Sequence, residues 1–137
     1  MPHRRTLAFI GLFVGAAVAL GVARPAFADP RDVSVGGVWI TRITHSWAGV
    51  SAVDRATEVT RRITQVLSIP EFRQGAVVTV RPDGGDALIM VGNVLVFTVT
   101  PADAAGTSST PLQTAKYWAS LLGQGLTRAL PGSAFYF

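Results

Sequence analysis

Three short runs of β-branched residues lie close together in the second half of the chain. Residues 77–81 alternate valine with threonine and arginine, then run into Pro82-Asp83-Gly84-Gly85. There the proline presets one backbone angle and the glycines permit positive ones, so the chain turns. Residues 87–91 and 94–100 follow, joined by Gly92-Asn93, a pair suited to the primed turns of tight hairpins. The pattern predicts a three-stranded antiparallel meander. A two-residue turn sets Val91 opposite Val94, Ile89 opposite Val96 and Ala87 opposite Thr98, with Leu88, Met90, Leu95, Phe97 and Val99 on the reverse side. Both faces are then apolar. Two helices can cover one of them, which leaves the Val and Ile face to the chain's own tail or to a partner.

The flanking patterns supply the helices. Ser51 stands where a helix cap belongs, with Asp54 three residues on. Ala52, Ala56, Val59, Ile63 and Val66 then recur at helical spacing until Pro70 stops the run. Thr110-Pro111-Leu112-Gln113 is a second helix start, followed by a stripe of Ala115, Trp118, Ala119, Leu122, Leu126, Ala129 and Leu130. Gly123 and Gly125 inside that stripe predict a close approach by another segment. Residues 35–44 read as one strand with a bend or bulge at Gly36-Gly37, preceded by a loose arm at 29–32 and followed by a loop at 45–50. Residues 101–110 read as a connection. The expected order is β-α-β-β-β-α, an α+β two-layer sandwich with a largely antiparallel sheet and both helices on one face.

Composition changes the picture mainly at the N-terminus. Arg4-Arg5 precedes an apolar run at 7–23, and Ala26-Phe27-Ala28 has small residues where a signal peptidase reads. Residues 1–28 are therefore expected to be a signal peptide, and 29–137 a single exported domain, periplasmic or extracellular. A retained N-terminal membrane anchor is the alternative. Arg4-Arg5-Thr6-Leu7 is similar to a twin-arginine export signal. From residue 29 onward nine Lys and Arg face eight Asp and Glu, a net charge of +1, which calls for neither a nucleic-acid nor a membrane-surface partner. With signal cleavage no membrane span is expected. The chain has no cysteine, so packing alone must hold the exported part together.

Several residues together resemble a known region. Gly49 and Ser51, Arg55-Ala56, Arg62, Ile89-Met90-Val91-Gly92-Asn93, Val99-Thr100-Pro101-Ala102-Asp103-Ala104 and Trp118-Ala119 with Leu122 are similar to the extracytoplasmic domain preceding the membrane part of bacterial small-conductance mechanosensitive-channel-like proteins. The resemblance implies an α+β fold and a cell-envelope location. With no channel helices expected after this region, it does not imply a pore.

Candidate chemistry is sparse. His45-Ser46 with Ser51 and Asp54 supplies the residue types of a nucleophilic triad, but triads are made by geometry and Ser51 already has a capping role. No catalytic residue is assigned, and a hydrolase is the remote reading. One histidine and no thiol after residue 28 give no zinc site, and Asp83 with Asp86 falls short of a calcium shell, so no metal and no cofactor are expected. Arg61, Arg62, Arg73 and Arg81 could gather for an anion or simply face solvent. Arg55 and Asp103 are expected to form a structural ion pair. Trp118 reads as core, Trp39 as either core or contact, and Trp47 beside His45 as a ligand contact on a loop.

The reading is a non-enzymatic cell-envelope domain. It acts by protein interaction or self-association through Ile89, Val91, Val94, Val96, Phe135, Tyr136 and Phe137, with a protein partner or a second copy as occupant. The alternative is a small-ligand module at His45 and Trp47.

Overall fold

Gly36 and Gly37 make the first departure from the expected order. In the computed structural model, which describes residues 29–137, both have positive φ, +58° and +77°, and form a two-residue hairpin turn rather than a bend. The expected signal peptide at 1–28 lies outside the described residues. The single first strand is thus two, β1 (Asp32–Val35) and β2 (Val38–Arg42), antiparallel and forming a sheet of their own. Trp39 pairs with Ser34 and Thr41 with Val33, so Ile40 is an extra residue, a bulge. Val33, Ile40 and Thr41 are buried, whereas Trp39 and Arg42, three apart, are both exposed. The loose arm expected before this hairpin is tied down. Asp29 accepts from the Arg31 backbone and side chain, both at 2.9 Å, and Arg31 accepts from the Ile43 N–H at 3.0 Å.

Helix α1 (Ala52–Ser68) begins as its sequence requires, the Ser51 hydroxyl accepting from Asp54 N–H at 3.1 Å. Ala56, Val59, Ile63 and Val66 are buried on one stripe. Ile69 is extended ahead of Pro70, and a 3-10 turn (Pro70–Phe72) follows.

Strands β3 (Val78–Asp83), β4 (Asp86–Val91) and β5 (Val94–Val99) form the meander in the expected order. The register of β5 differs beyond the turn. Val91 faces Val94 and Met90 faces Leu95, but Ile89 faces Phe97 and Ala87 faces Val99, because Val96 is skipped. This second bulge turns Val96 and Phe97 to the same side and reverses the alternation after them. Ala87, Ile89, Val91, Val96, Phe97 and Val99 are all buried, and the Phe97 ring lies 5.4 Å from Trp118 between centroids. The reverse side carries Thr79, Arg81, Leu88, Met90, Leu95 and Thr98, exposed or half-buried.

The segment expected as a plain connection contains a short helix, α2 (Pro101–Ala105). Thr100 and Asp103 make a reciprocal capping box, 3.3 Å for Asp103 N–H to the Thr100 hydroxyl and 2.9 Å for Thr100 N–H to the carboxylate. Helix α3 (Pro111–Ala129) is capped in the same way by Thr110 and Gln113, both contacts at 3.1 Å. It packs on β2, β3 and β4, while α1 packs on β5 and β1, all around one core. Gly125 explains itself: a Cβ there would stand 2.5 Å from the Val35 carbonyl oxygen and 2.6 Å from its Cγ1.

The chain ends against β3. Val78 N–H donates to the Tyr136 carbonyl at 2.8 Å, Ala134 N–H to Gln74 at 3.0 Å and Tyr136 N–H to Ala76 at 3.3 Å, a parallel bridge between Val77 and Tyr136. Phe135 is buried beneath it, its N–H donating to the Thr127 hydroxyl at 3.1 Å.

Candidate functional site

The expected interaction surface divides in two. Ile89, Val91 and Val96 are fully buried, because the helices lie over their face of the meander and not over the reverse one. Phe135 is core as well, and Val94 is half-buried against the same cluster. These five residues therefore do not form an open surface, which corrects the expectation for that face. Tyr136 and Phe137 do remain in the open, each 60% exposed, with Val77 beside them at 40%. Phe137 also edges a shallow depression with Phe135, Gln124 and Arg128.

Neither residue of the loop pair is gathered into one cavity with the other. Trp47 and Val50 close a tight turn through reciprocal backbone bonds of 3.0 and 2.9 Å, with Ala48 at φ +51° and Gly49 at +79°. Trp47 lines a groove of about 270 Å³ with Val50, Arg55, Glu58, Arg62 and Leu95. His45 is exposed outside it, its Nδ1 3.0 Å from the Thr44 hydroxyl. The Ser51 hydroxyl is occupied as the α1 cap, so the bonds of His45 and Ser51 lead away from each other.

Charged groups resolve into pairs. Glu58 accepts from Arg61 at 2.6 Å and from Arg62 at 3.0 Å, which removes both arginines from any cluster with Arg73 and Arg81. The hydrogen bond from Arg61 is the main cause holding the Glu58 carboxyl down to about 2. The Arg42 guanidinium likewise holds Asp32 below the usual carboxylate range, at 2.8 Å. Among the described residues no group of three or more His, Cys, Asp or Glu comes together as a metal site requires.

Arg55 and Asp103 form the buried pair, with side chains 8% and 2% exposed. The contact is bidentate, Nη2 to Oδ2 at 2.8 Å and Nη1 to Oδ1 at 3.1 Å. Arg55 also donates to the carbonyls of His45 at 2.6 Å and Thr98 at 3.2 Å. One guanidinium thereby joins α1, the 45–50 loop, the end of β5 and the α2 cap.

A groove of about 530 Å³ went unpredicted. It lies between β2 and the start of α3 and is edged by Trp39, 57% exposed, and Tyr117, 65% exposed. A signal for it exists in the sequence. Tyr117 is an aromatic residue off the apolar stripe of its helix, and Trp39 falls on the outward face by simple alternation between buried Val38 and Ile40.

No helix among the described residues is long and apolar enough to cross a membrane. No curated protein and no solved structure matches the chain. A family model does match, described as a domain of unknown function, over residues 32–129, from the first strand through the last helix. The chain belongs to that family, DUF8459.

Proposed function

We propose that this is a non-enzymatic domain exported to the cell envelope that works by self-association, with the exposed aromatic pair Tyr136 and Phe137 at the centre of the contact. The observation that carries the reading is their presentation. Both rings stand more than half in solvent on a backbone held by three hydrogen bonds and anchored by buried Phe135. Aromatic side chains carried on an ordered backbone spare the cost of ordering the chain on docking and are among the residue types that dominate interface energies. A second copy is the occupant favoured by charge, since a net +1 over residues 29–137 imposes little repulsion between copies. Export rests on the basic, apolar and small-residue pattern of residues 1–28, and the envelope setting on the resemblance to domains that precede mechanosensitive-channel-like membrane parts. The His45 and Trp47 ligand reading keeps only Trp47, at the edge of its small groove.

Light scattering over a concentration series tests this, using protein purified after expression of the full chain. The expected result is a mass that rises with concentration and falls to that of one chain in Tyr136→Ser/Phe137→Ser, with an unchanged melting midpoint. Phe135→Ala behaves differently, losing about 3–5 kcal/mol because a core ring is removed. A single-chain mass at every concentration sinks the proposal.

A further inference from the structure

The groove between β2 and α3 is independent of the tail, and its lining is chemically selective. Trp39 and Tyr117 offer two exposed aromatic faces. Between them Thr44, Thr107, Ser109 and Gln113 offer neutral hydroxyl and amide groups. The charged residues of the lining are already committed. Arg42 is held by Asp32 through bonds of 2.8 and 3.1 Å, and Asp103 by Arg55. An anionic or cationic ligand would find no free counter-charge here, and a wholly apolar one would strip water from the hydroxyls without replacing it.

The arrangement is also fixed in advance. The Trp39 indole N–H donates to Asp32 Oδ1 at 3.3 Å, which orients the ring. Thr107, Ser109 and Thr114 form a hydroxyl chain with contacts of 2.8 and 2.5 Å, and such chains polarise one another. The volume, about 530 Å³, lies within the range of about 300–1,000 Å³ found for small-molecule sites. A ligand that meets all of these conditions has flat C–H faces for the two rings and a rim of uncharged hydroxyls for the polar edge.

We infer that the β2–α3 groove binds a neutral carbohydrate built of pyranose rings, with Trp39 and Tyr117 stacking on sugar faces and Thr44, Thr107, Ser109 and Gln113 reading the hydroxyl rim. Trp39 and Tyr117 determine affinity, and the polar residues determine which sugar is taken.

The test uses protein purified after full-chain expression, titrated with cellotetraose, chitotetraose and maltotetraose by calorimetry and tryptophan fluorescence. At least one probe is expected to bind saturably, in the micromolar to millimolar range. Trp39→Ala and Tyr117→Ala should each weaken it about tenfold or more, as loss of an anchoring aromatic ring does. Trp47→Ala, which removes a ring from the other groove, should leave it unchanged. Both substituted rings are largely exposed, so melting midpoints should stay at the wild-type value and separate lost binding from lost fold. No saturable binding by any of the three sugars overturns the inference. So does binding that survives Trp39→Ala/Tyr117→Ala, or binding of an uncharged oligothreonine peptide in place of every sugar, which would mark strand addition along β2.

Discussion

Removing the guanidinium of Arg55 should cost more than any other single charge change in the domain. Arg55→Met leaves the Asp103 carboxylate with the Thr100 N–H as a remaining donor, in a site where its side chain is 2% exposed. Breaking one side of a buried pair costs about 3–5 kcal/mol, because the other charge stays desolvated. At about 4 °C per kcal/mol or more, the midpoint should fall by roughly 12 °C or more. Asp103→Asn keeps an oxygen for Thr100 and removes only the charge, so it isolates the pairing from the cap. The double variant should be more stable than the two single losses predict, by about 1 kcal/mol or more. Charge reversal is the weaker test. An aspartate at position 55 would face the carbonyls of His45 and Thr98 that Arg55 now donates to, and an arginine at 103 could not accept from Thr100. Urea unfolding of the four proteins decides the matter. A loss under about 1 kcal/mol in Arg55→Met, the value of an exposed pair, or strict additivity in the double, refutes the reasoning.

Two further outcomes follow from the packing and the surface charges. Gly125→Ala should destabilise: helix propensity returns about 1 kcal/mol, but a methyl group pressed on the Val35 backbone costs about 1–3 kcal/mol or more. Gly123→Ala is the control, since its nearest neighbour, the Phe135 carbonyl, stands at 3.3 Å, and urea midpoints for the two should separate. The Glu58 carboxyl lies at about 2 against an ordinary 4.5, so its contribution is complete above about pH 4.5 and disappears as pH falls toward 2. Glu58→Gln should flatten that part of the melting-midpoint profile, and an unchanged slope would contradict the assignment.

Helices were the most legible part of the chain, for local reasons. Ser51, Thr110 and Gln113 bond within three residues of themselves, and the stripes of α1 and α3 need only a period. Thr100 and Asp103 bond at the same spacing, yet the sequence of α2 reads as a connection because its small residues carry no stripe. Strand identity was legible and strand facing was not. A bulge costs the sequence nothing visible, and the one at Val96 moves Phe97 and Val99 to the core side, where Ala87, Ile89 and Val91 of β4 already lie. Gly36-Gly37 reads as a bend or bulge, and the turn that it forms sets Val35 against Gly125 of α3, a contact that no local pattern shows. The exposed rings of Trp39 and Tyr117 come from elements far apart in sequence, so no local pattern joins them.

The skipped residue in β5 also bears on how so small a sheet can enclose a core. By bringing Val96 and Phe97 down together it thickens the apolar layer where the meander meets Trp118. A bulge also sharpens local twist, so three strands acquire a concavity that a flat ribbon of the same length would lack. Deleting Val96 would therefore do more than empty its own volume: it would unbend the cradle in which both long helices rest.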